Sequence, residues 1–163
     1  MSSLSMFFGN IMALFENNIK RFFGYTSIAQ LGYIFIVLLV SQKNYLFSLE
    51  AVGIYLISYF LSNTSFFGII SLLSNPDKKI DHDSMFLYRG LFWKKPVLAI
   101  MITIILLSLS GIPLTLGFIG KFYLLSIILQ ERLWFLGLSF LISTVIGIYC
   151  YLRLIFTLYS NID

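Results

Sequence analysis

Only one cysteine and one histidine occur among the 163 residues. Cys150 has no partner within the chain for a disulfide, and no cluster of metal-ligating side chains can be built around His82. Charge is scarce too: charged residues make up 11% of the chain, where soluble domains carry about 25%. The acids Glu16, Glu50, Asp77, Asp81, Asp83 and Glu131 all fall in or beside polar loops. No nucleophile sits beside a base in any recognisable arrangement, and no glycine-rich phosphate loop is present. Gly111-Ile-Pro-Leu-Thr is not one, since no Gly-Lys-Ser/Thr follows at the required spacing. Residues 1–15 lack a basic leading region and the first charge is Glu16, so no cleavable signal peptide is expected.

What the chain has instead is hydrocarbon. Hydrophobic residues reach 59% and the mean hydropathy is +0.93, values that place it in a membrane. The net charge of +4 does not point to nucleic acid. Its basic residues lie in loops between apolar runs, where membrane topology accounts for them. The expected fold is all-α: a multi-pass transmembrane helix bundle with one discontinuous helix. Spans are expected at 1–15, 22–41, 51–75, 97–130 and 133–153 within one membrane domain, 1–163, with a loop at 77–95. The first is short and reads as the end of a spanning helix. Residues 42–50 read as a short loop.

The stretch at 96–130 organises the rest. It holds 35 residues and a single charge, Lys121. One helical crossing needs about 20 residues, so 35 are too many for one straight span and too few for two with a loop. Gly111, Pro113, Gly117 and Gly120 fall near its centre. Proline removes a donor and clashes with the preceding turn, and glycine weakens a helix. The reading is one helix broken near 111–120, with Lys121 opening the second half. From Lys121 to the polar edge at Gln130 is about 14 Å, close to half the hydrocarbon thickness. A lysine at that depth cannot easily snorkel out. An ammonium in mid-bilayer costs about 2.5–3.5 kcal/mol on insertion scales. Irregular backbone there is tolerated only inside protein or beside a wet cavity. Two such features at one depth point to an ion or proton path. The structural alternative is a lysine hydrogen-bonded to carbonyls of the broken helix.

Other polar residues are weighed the same way. Ser58, Ser62, Asn63, Thr64 and Ser65 cluster in the third span. Small and hydroxyl residues at such depth usually serve helix contacts; Ser62, Asn63 and Thr64, with Gln30, are the candidates for a water path. Lacking partner ligands, His82 reads as a solvated loop residue rather than a proton entry group or metal ligand. Cys150 reads as a small packing residue. Residues 84–96 suit a short surface helix with Trp93 at headgroup level. Tyr149 and Tyr151, just before Arg153, suit an interfacial anchor. Lys20, Arg21, Lys78, Lys79, Arg89, Lys94, Lys95 and Arg153 lie on one side of the membrane, against Lys43 and Arg132 on the other. That imbalance makes the first side cytoplasmic and puts the N-terminus outside.

Leu109-Ser-Gly-Ile-Pro-Leu-Thr-Leu-Gly-Phe-Ile-Gly-Lys-Phe-Tyr123 resembles the broken helix of the antiporter-like membrane subunits of respiratory complex I. Asn18-Ile-Lys-Arg-Phe-Phe-Gly-Tyr-Thr-Ser-Ile-Ala-Gln-Leu-Gly-Tyr33 is similar to another motif of that family. Glu50-Ala-Val-Gly-Ile-Tyr-Leu-Ile-Ser-Tyr59 and Tyr88-Arg-Gly-Leu-Phe-Trp93 look like its bacterial subunit N branch. The family is built from two inverted repeats, and this chain resembles the second alone. The resemblance implies redox-driven proton translocation in the bacterial inner membrane, within NADH-quinone oxidoreductase. Lys121 would carry the proton, and the other membrane-arm subunits and the lipid bilayer would be the partners. FMN, iron–sulfur clusters and quinone would reside in other subunits, with no cofactor or redox centre in this chain. Some relatives carry histidine where Gln30 stands; glutamine can bond a water wire but cannot titrate. Related cation/proton antiporters and membrane-bound hydrogenases share the broken helix and the lysine, and a non-functional truncated remnant is a further alternative. The Glu50–Tyr59 and Tyr88–Trp93 stretches favour complex I.

Overall fold

In lipid the backbone finds hydrogen-bond partners only within its own segment, so apolar runs of this length fold as helices. The structure is a computed structural model and describes residues 1–40, 45–73 and 84–160. Among those residues it contains α1 (Ser2–Phe15), α2 (Ile19–Val40), α3 (Tyr45–Leu73), α4 (Leu91–Lys94), α5 (Pro96–Ser110), α6 (Leu116–Gln130) and α7 (Trp134–Tyr159). Helices α2, α3 and α7 are long and apolar enough to cross a membrane, whereas α1, α5 and α6 are shorter apolar helices. The mixed-charge run 77–83 with His82, and Lys43, lie outside the described residues.

Several boundaries differ from expectation, each for a local reason. Helix α2 starts three residues early, at Ile19, because the Asn18 side chain caps it. The Asn18 Oδ1 accepts from the Lys20 N–H at 3.0 Å and the Arg21 N–H at 3.4 Å. Helix α3 starts at Tyr45, so residues 45–50 are helical rather than loop. Glu50 ends the uncharged run without interrupting the helix. Likewise α7 runs through Arg153 to Tyr159, nearly two turns past the expected end of that span at 153. The surface helix expected at 84–96 is instead two pieces, a 3₁₀ turn at Met85–Tyr88 and α4. Gly90 separates them at φ 69°, ψ 20°, a left-handed conformation that glycine adopts without penalty. Met85, Tyr88 and Leu91 are buried beneath this segment, while Trp93 is exposed.

Helix α1 packs along α2, α3 against α6, and α5 against α7. The buried apolar residues form two clusters stacked along the bundle. One contains Ala13 of α1, Phe22 and Phe23 of α2, Phe66 of α3, Leu106 of α5 and Leu154 of α7. The other contains Met6, Val37, Val52, Leu124 and Phe140 from α1, α2, α3, α6 and α7. All the α5 members lie in the first cluster and all the α6 members in the second, so the broken helix changes cluster at its break. Buried polar residues of five helices meet: Asn10 bonds Ser143, Gln30, Ser58 and Lys121 line one small cavity, and Lys121 faces the Tyr33 ring that Asn10 also reaches. Together they form a polar layer within the bundle.

Close approach of α1 to α2 depends on Gly9. A Cβ there would lie 2.6 Å from the Tyr25 carbonyl oxygen and 2.7 Å from the Ala29 nitrogen. Backbone cannot move aside as a side chain can. Gly9→Ala is therefore expected to lower stability by about 1–3 kcal/mol. Gly53 in α3 has no atom within 4 Å of an added Cβ, so Gly53→Ala is expected to raise stability by up to about 1 kcal/mol through helix propensity. Unfolding of both variants in mixed detergent micelles, followed by circular dichroism, reads the opposite signs.

Candidate functional site

The site begins where α5 stops. The last four carbonyls of any helix lack intrahelical donors, and a buried carbonyl left bare is destabilising. Here each has a donor. Gly111 and Ile112 turn back on the helix: the Gly111 N–H reaches Ser108 O at 3.2 Å and the Ile112 N–H reaches Leu107 O at 3.3 Å. The remaining two carbonyls take the lysine. Lys121 Nζ donates to Leu109 O at 3.1 Å and to Ser110 O at 3.0 Å. The ammonium also faces the negative end of the α5 dipole, and lies 5.6 Å from the centre of the Tyr33 ring, within cation–π range. Lys121 is only 8% exposed. Among the described residues no carboxylate pairs with it. The bonds that a structural lysine would make are thus present, and they use two of the three donors of an ammonium.

The link itself is residues 111–115. Gly111 sits at φ 80°, and a Cβ there would lie 2.8 Å from Lys121 Cδ, so both backbone and side-chain space demand glycine. Pro113 supplies no donor, which is why α5 cannot continue through it. Leu114 takes φ 84°, an uncommon conformation for a leucine, and its side chain is fully exposed. Thr115 then caps α6: its Oγ1 accepts from the Phe118 N–H at 3.4 Å.

Gly117 and Gly120 do not break the helix, contrary to expectation; both lie inside α6. Their role is close approach. A Cβ on Gly117 would fall 1.8 Å from Ser108 O, and one on Gly120 would fall 2.8 Å from Tyr55 Cδ2. Glycine here lets α6 lie against the end of α5 on one side and against α3 on the other.

A cavity of about 10 Å³ adjoins the amine, lined by Gln30, Tyr55, Ser58, Ser62 and Ser108 among others. That volume is near the lower limit for one water. The Tyr55 hydroxyl is buried and makes no hydrogen bond among the described residues. Gln30 Nε2 lies 3.4 Å from the Tyr151 hydroxyl. Of the expected water-path residues, Gln30 and Ser62 line this cavity and Asn63 does not. Thr64 is a correction: it is exposed, bonded back to Phe60 O and Leu61 O. Thr64 stands six residues from Ser58, about 240° further around the helix, on a different face. Tyr151 is a second correction, buried against Gln30 instead of anchoring the interface; Tyr149 is exposed.

Sequence reasoning missed a neighbouring network. Asn10 Nδ2 donates to Ser143 Oγ at 2.7 Å, to Ser143 O at 2.9 Å and to the Tyr33 hydroxyl at 3.3 Å. The Tyr33 and Ser143 hydroxyls are 3.0 Å apart. The signal for it was a lone asparagine in an otherwise uncharged apolar run. Buried Cys150 packs beside it, its Sγ 3.5 Å from Asn10 O.

A family model described as NADH:quinone oxidoreductase/Mrp antiporter, TM, matches residues 1–147. NADH-quinone oxidoreductase subunit N of Buchnera aphidicola subsp. Schizaphis graminum (strain Sg) is 55% identical over 160 residues, 98% of this chain and 33% of the relative. The protein of the same name from Buchnera aphidicola subsp. Acyrthosiphon pisum (strain APS) is 56% identical over 158 residues, 97% of this chain and 32% of the relative. The chain spans about a third of the length of these curated relatives. Among solved structures, a chain of respiratory complex I from Thermus thermophilus with bound aureothin superposes with a TM-score of 0.82 at 28% identity. The match covers 99% of this chain and 35% of that one.

Gly117→Ala tests the close approach directly. It sets a methyl group against a carbonyl with no room to yield. A loss of at least about 3 kcal/mol is expected, with hydrogen exchange rising first in α6 when followed by mass spectrometry.

Proposed function

This chain belongs to the NADH:quinone oxidoreductase/Mrp antiporter transmembrane family, and from that premise we propose that it serves as a proton-translocating membrane-arm subunit of NADH-quinone oxidoreductase. The observation that carries the proposal is the Lys121 ammonium, buried at a helix break and bonded to two neutral carbonyls. Among the described residues no carboxylate fixes its charge, so a charge arriving nearby can shift its protonation. The lysine carries the proton. Tyr55, Gln30 and Ser62 surround the small cavity beside it and give a transferred proton a polar outlet.

Electron transfer from NADH to quinone takes place elsewhere in this reading, with FMN, iron–sulfur clusters and quinone held by other subunits. Its partners are the other membrane-arm subunits and the bilayer. The exposed link at Leu114 supports a protein neighbour, because irregular backbone at membrane depth needs protein or a wet cavity beside it. The location is the bacterial inner membrane, with the basic ends of α2, α5 and α7 cytoplasmic and the N-terminus outside. The relatives named NADH-quinone oxidoreductase subunit N favour this over an antiporter or hydrogenase subunit.

A second reading has its own observation. Lys121 completes the α5 carbonyl set, so it can be a structural cap that never titrates. Substitution separates the two. Lys121→Arg keeps charge and donors but does not release its proton; Lys121→Met removes both. In assembled complexes that still oxidise NADH, both variants are expected to lose the proton pumping attributable to this subunit in inverted vesicles. Normal pumping by Lys121→Arg would favour the structural cap.

A further inference from the structure

A groove of about 460 Å³ opens beside the last turns of α7, lined in part by Phe86, Arg89, Leu152, Arg153, Phe156 and Ser160. It is far larger than the cavity at Lys121, lies at the opposite end of α7 from Trp134, and plays no part in the transport proposal. Two guanidinium groups border it. Arg89 Nε donates to Ser160 Oγ at 3.2 Å. Arg153 donates to Leu14 O, and to Asn17 Oδ1 at 3.1 Å. Every one of these acceptors is neutral, and no carboxylate among the described residues pairs with either arginine. The end of the α1 dipole offsets part of the Arg153 charge. Among the described residues, the two guanidiniums thus leave positive charge at the groove's polar end.

Its other wall is hydrocarbon. Phe156 is 71% exposed, and the outward face continues along α7 through Tyr149, Val145 and Ile142, all exposed. This face runs from the arginines directly into the apolar span. An extended peptide laid along it would bring backbone groups that nothing there satisfies, and a helix, which satisfies its own, would still need an anionic side chain at the arginines. An acyl chain beneath a phosphate meets both walls.

We propose that this groove binds one anionic phospholipid, with its phosphate between Arg89 and Arg153 and an acyl chain against Leu152 and Phe156. Arginine matches phosphate oxygens geometrically as well as in charge, and basic pockets at the cytoplasmic ends of membrane helices suit such headgroups. The zwitterionic lipids around it lack the net charge that the two guanidiniums select.

The chain's two tryptophans allow a direct test. Trp93 lies one ring beyond Phe92, whose ring is 4.8 Å from that of Tyr159, next to Ser160 of the groove. Trp134 opens α7, about 37 Å away along the helix. The full chain is reconstituted in nanodiscs, with Trp134→Phe or Trp93→Phe leaving one reporter. Its fluorescence is quenched by dibrominated phosphatidylglycerol or by dibrominated phosphatidylcholine at equal mole fraction. The expected result is several-fold stronger quenching of Trp93 by the anionic lipid and no preference at Trp134. Arg89→Gln is expected to abolish the preference at Trp93. Arg89→Lys should keep it, as should the Lys94→Gln/Lys95→Gln pair. Equal quenching of Trp93 by the two lipids overturns the proposal. So does a preference that survives Arg89→Gln, which marks diffuse surface charge. Absence of quenching by either lipid also overturns it, since protein then covers the groove.

Discussion

The bond between the Lys121 ammonium and the two terminal carbonyls of α5 is the constraint on which the rest depends. Each half of it is unfavourable alone. A buried carbonyl without a donor costs about 1–3 kcal/mol, and two are freed where α5 ends. A charged lysine at mid-bilayer costs about 2.5–3.5 kcal/mol on insertion scales. The two penalties are of similar size, and bringing the groups together relieves both. The break supplies acceptors for the lysine, and the lysine supplies donors for the break. Neither feature survives easily without the other, and the neutral acceptors leave the charge state open to outside influence.

Other parts of the bundle serve that meeting. Gly111 clears space for the lysine stem, while Gly117 and Gly120 bring α6 against α5 and α3. The two apolar clusters hold the halves of the broken helix on either side of the polar layer. Asn10, Gln30, Ser58 and Ser143 fall in that layer from four further helices. A polar group in each helix at one height is costly unless the groups satisfy each other. Asn10, Tyr33 and Ser143 bond one another, whereas the Tyr55 hydroxyl beside the lysine has no partner among the described residues. Tyr55 lines the small cavity at Lys121.

The broken helix was legible in the chain because Pro113 falls deep inside an apolar run among three glycines, where it kinks or ends a helix. Pro96, by contrast, stands at the head of α5, where proline is tolerated. Glycine has two meanings. Gly111 sits at positive φ and belongs to the break, but Gly117 and Gly120 mark close approach within α6. Only knowledge of the facing element separates these cases. Helix faces were partly within reach, since the offset between Ser58 and Thr64 already places them on different sides. The Asn10–Ser143 contact was not, because it joins positions 133 residues apart. Charges misled at the helix ends: Glu50 and Arg153 ended apolar runs, yet α3 and α7 continue through them. A charge near headgroup depth changes the solvent a residue prefers without altering its backbone.

Solid-state NMR dipolar recoupling between ¹⁵Nζ of lysine and ¹³C carbonyl labels at Leu109 and Ser110, in lipid bilayers, measures the central contact itself. Nitrogen–oxygen distances of 3.1 and 3.0 Å place each carbonyl carbon within about 4 Å of the amine. Strong dephasing at that range, lost in Lys121→Met, is the predicted result. A lysine nitrogen with no carbonyl label nearby would mean that the amine points elsewhere, and that the broken helix and its charge are unrelated.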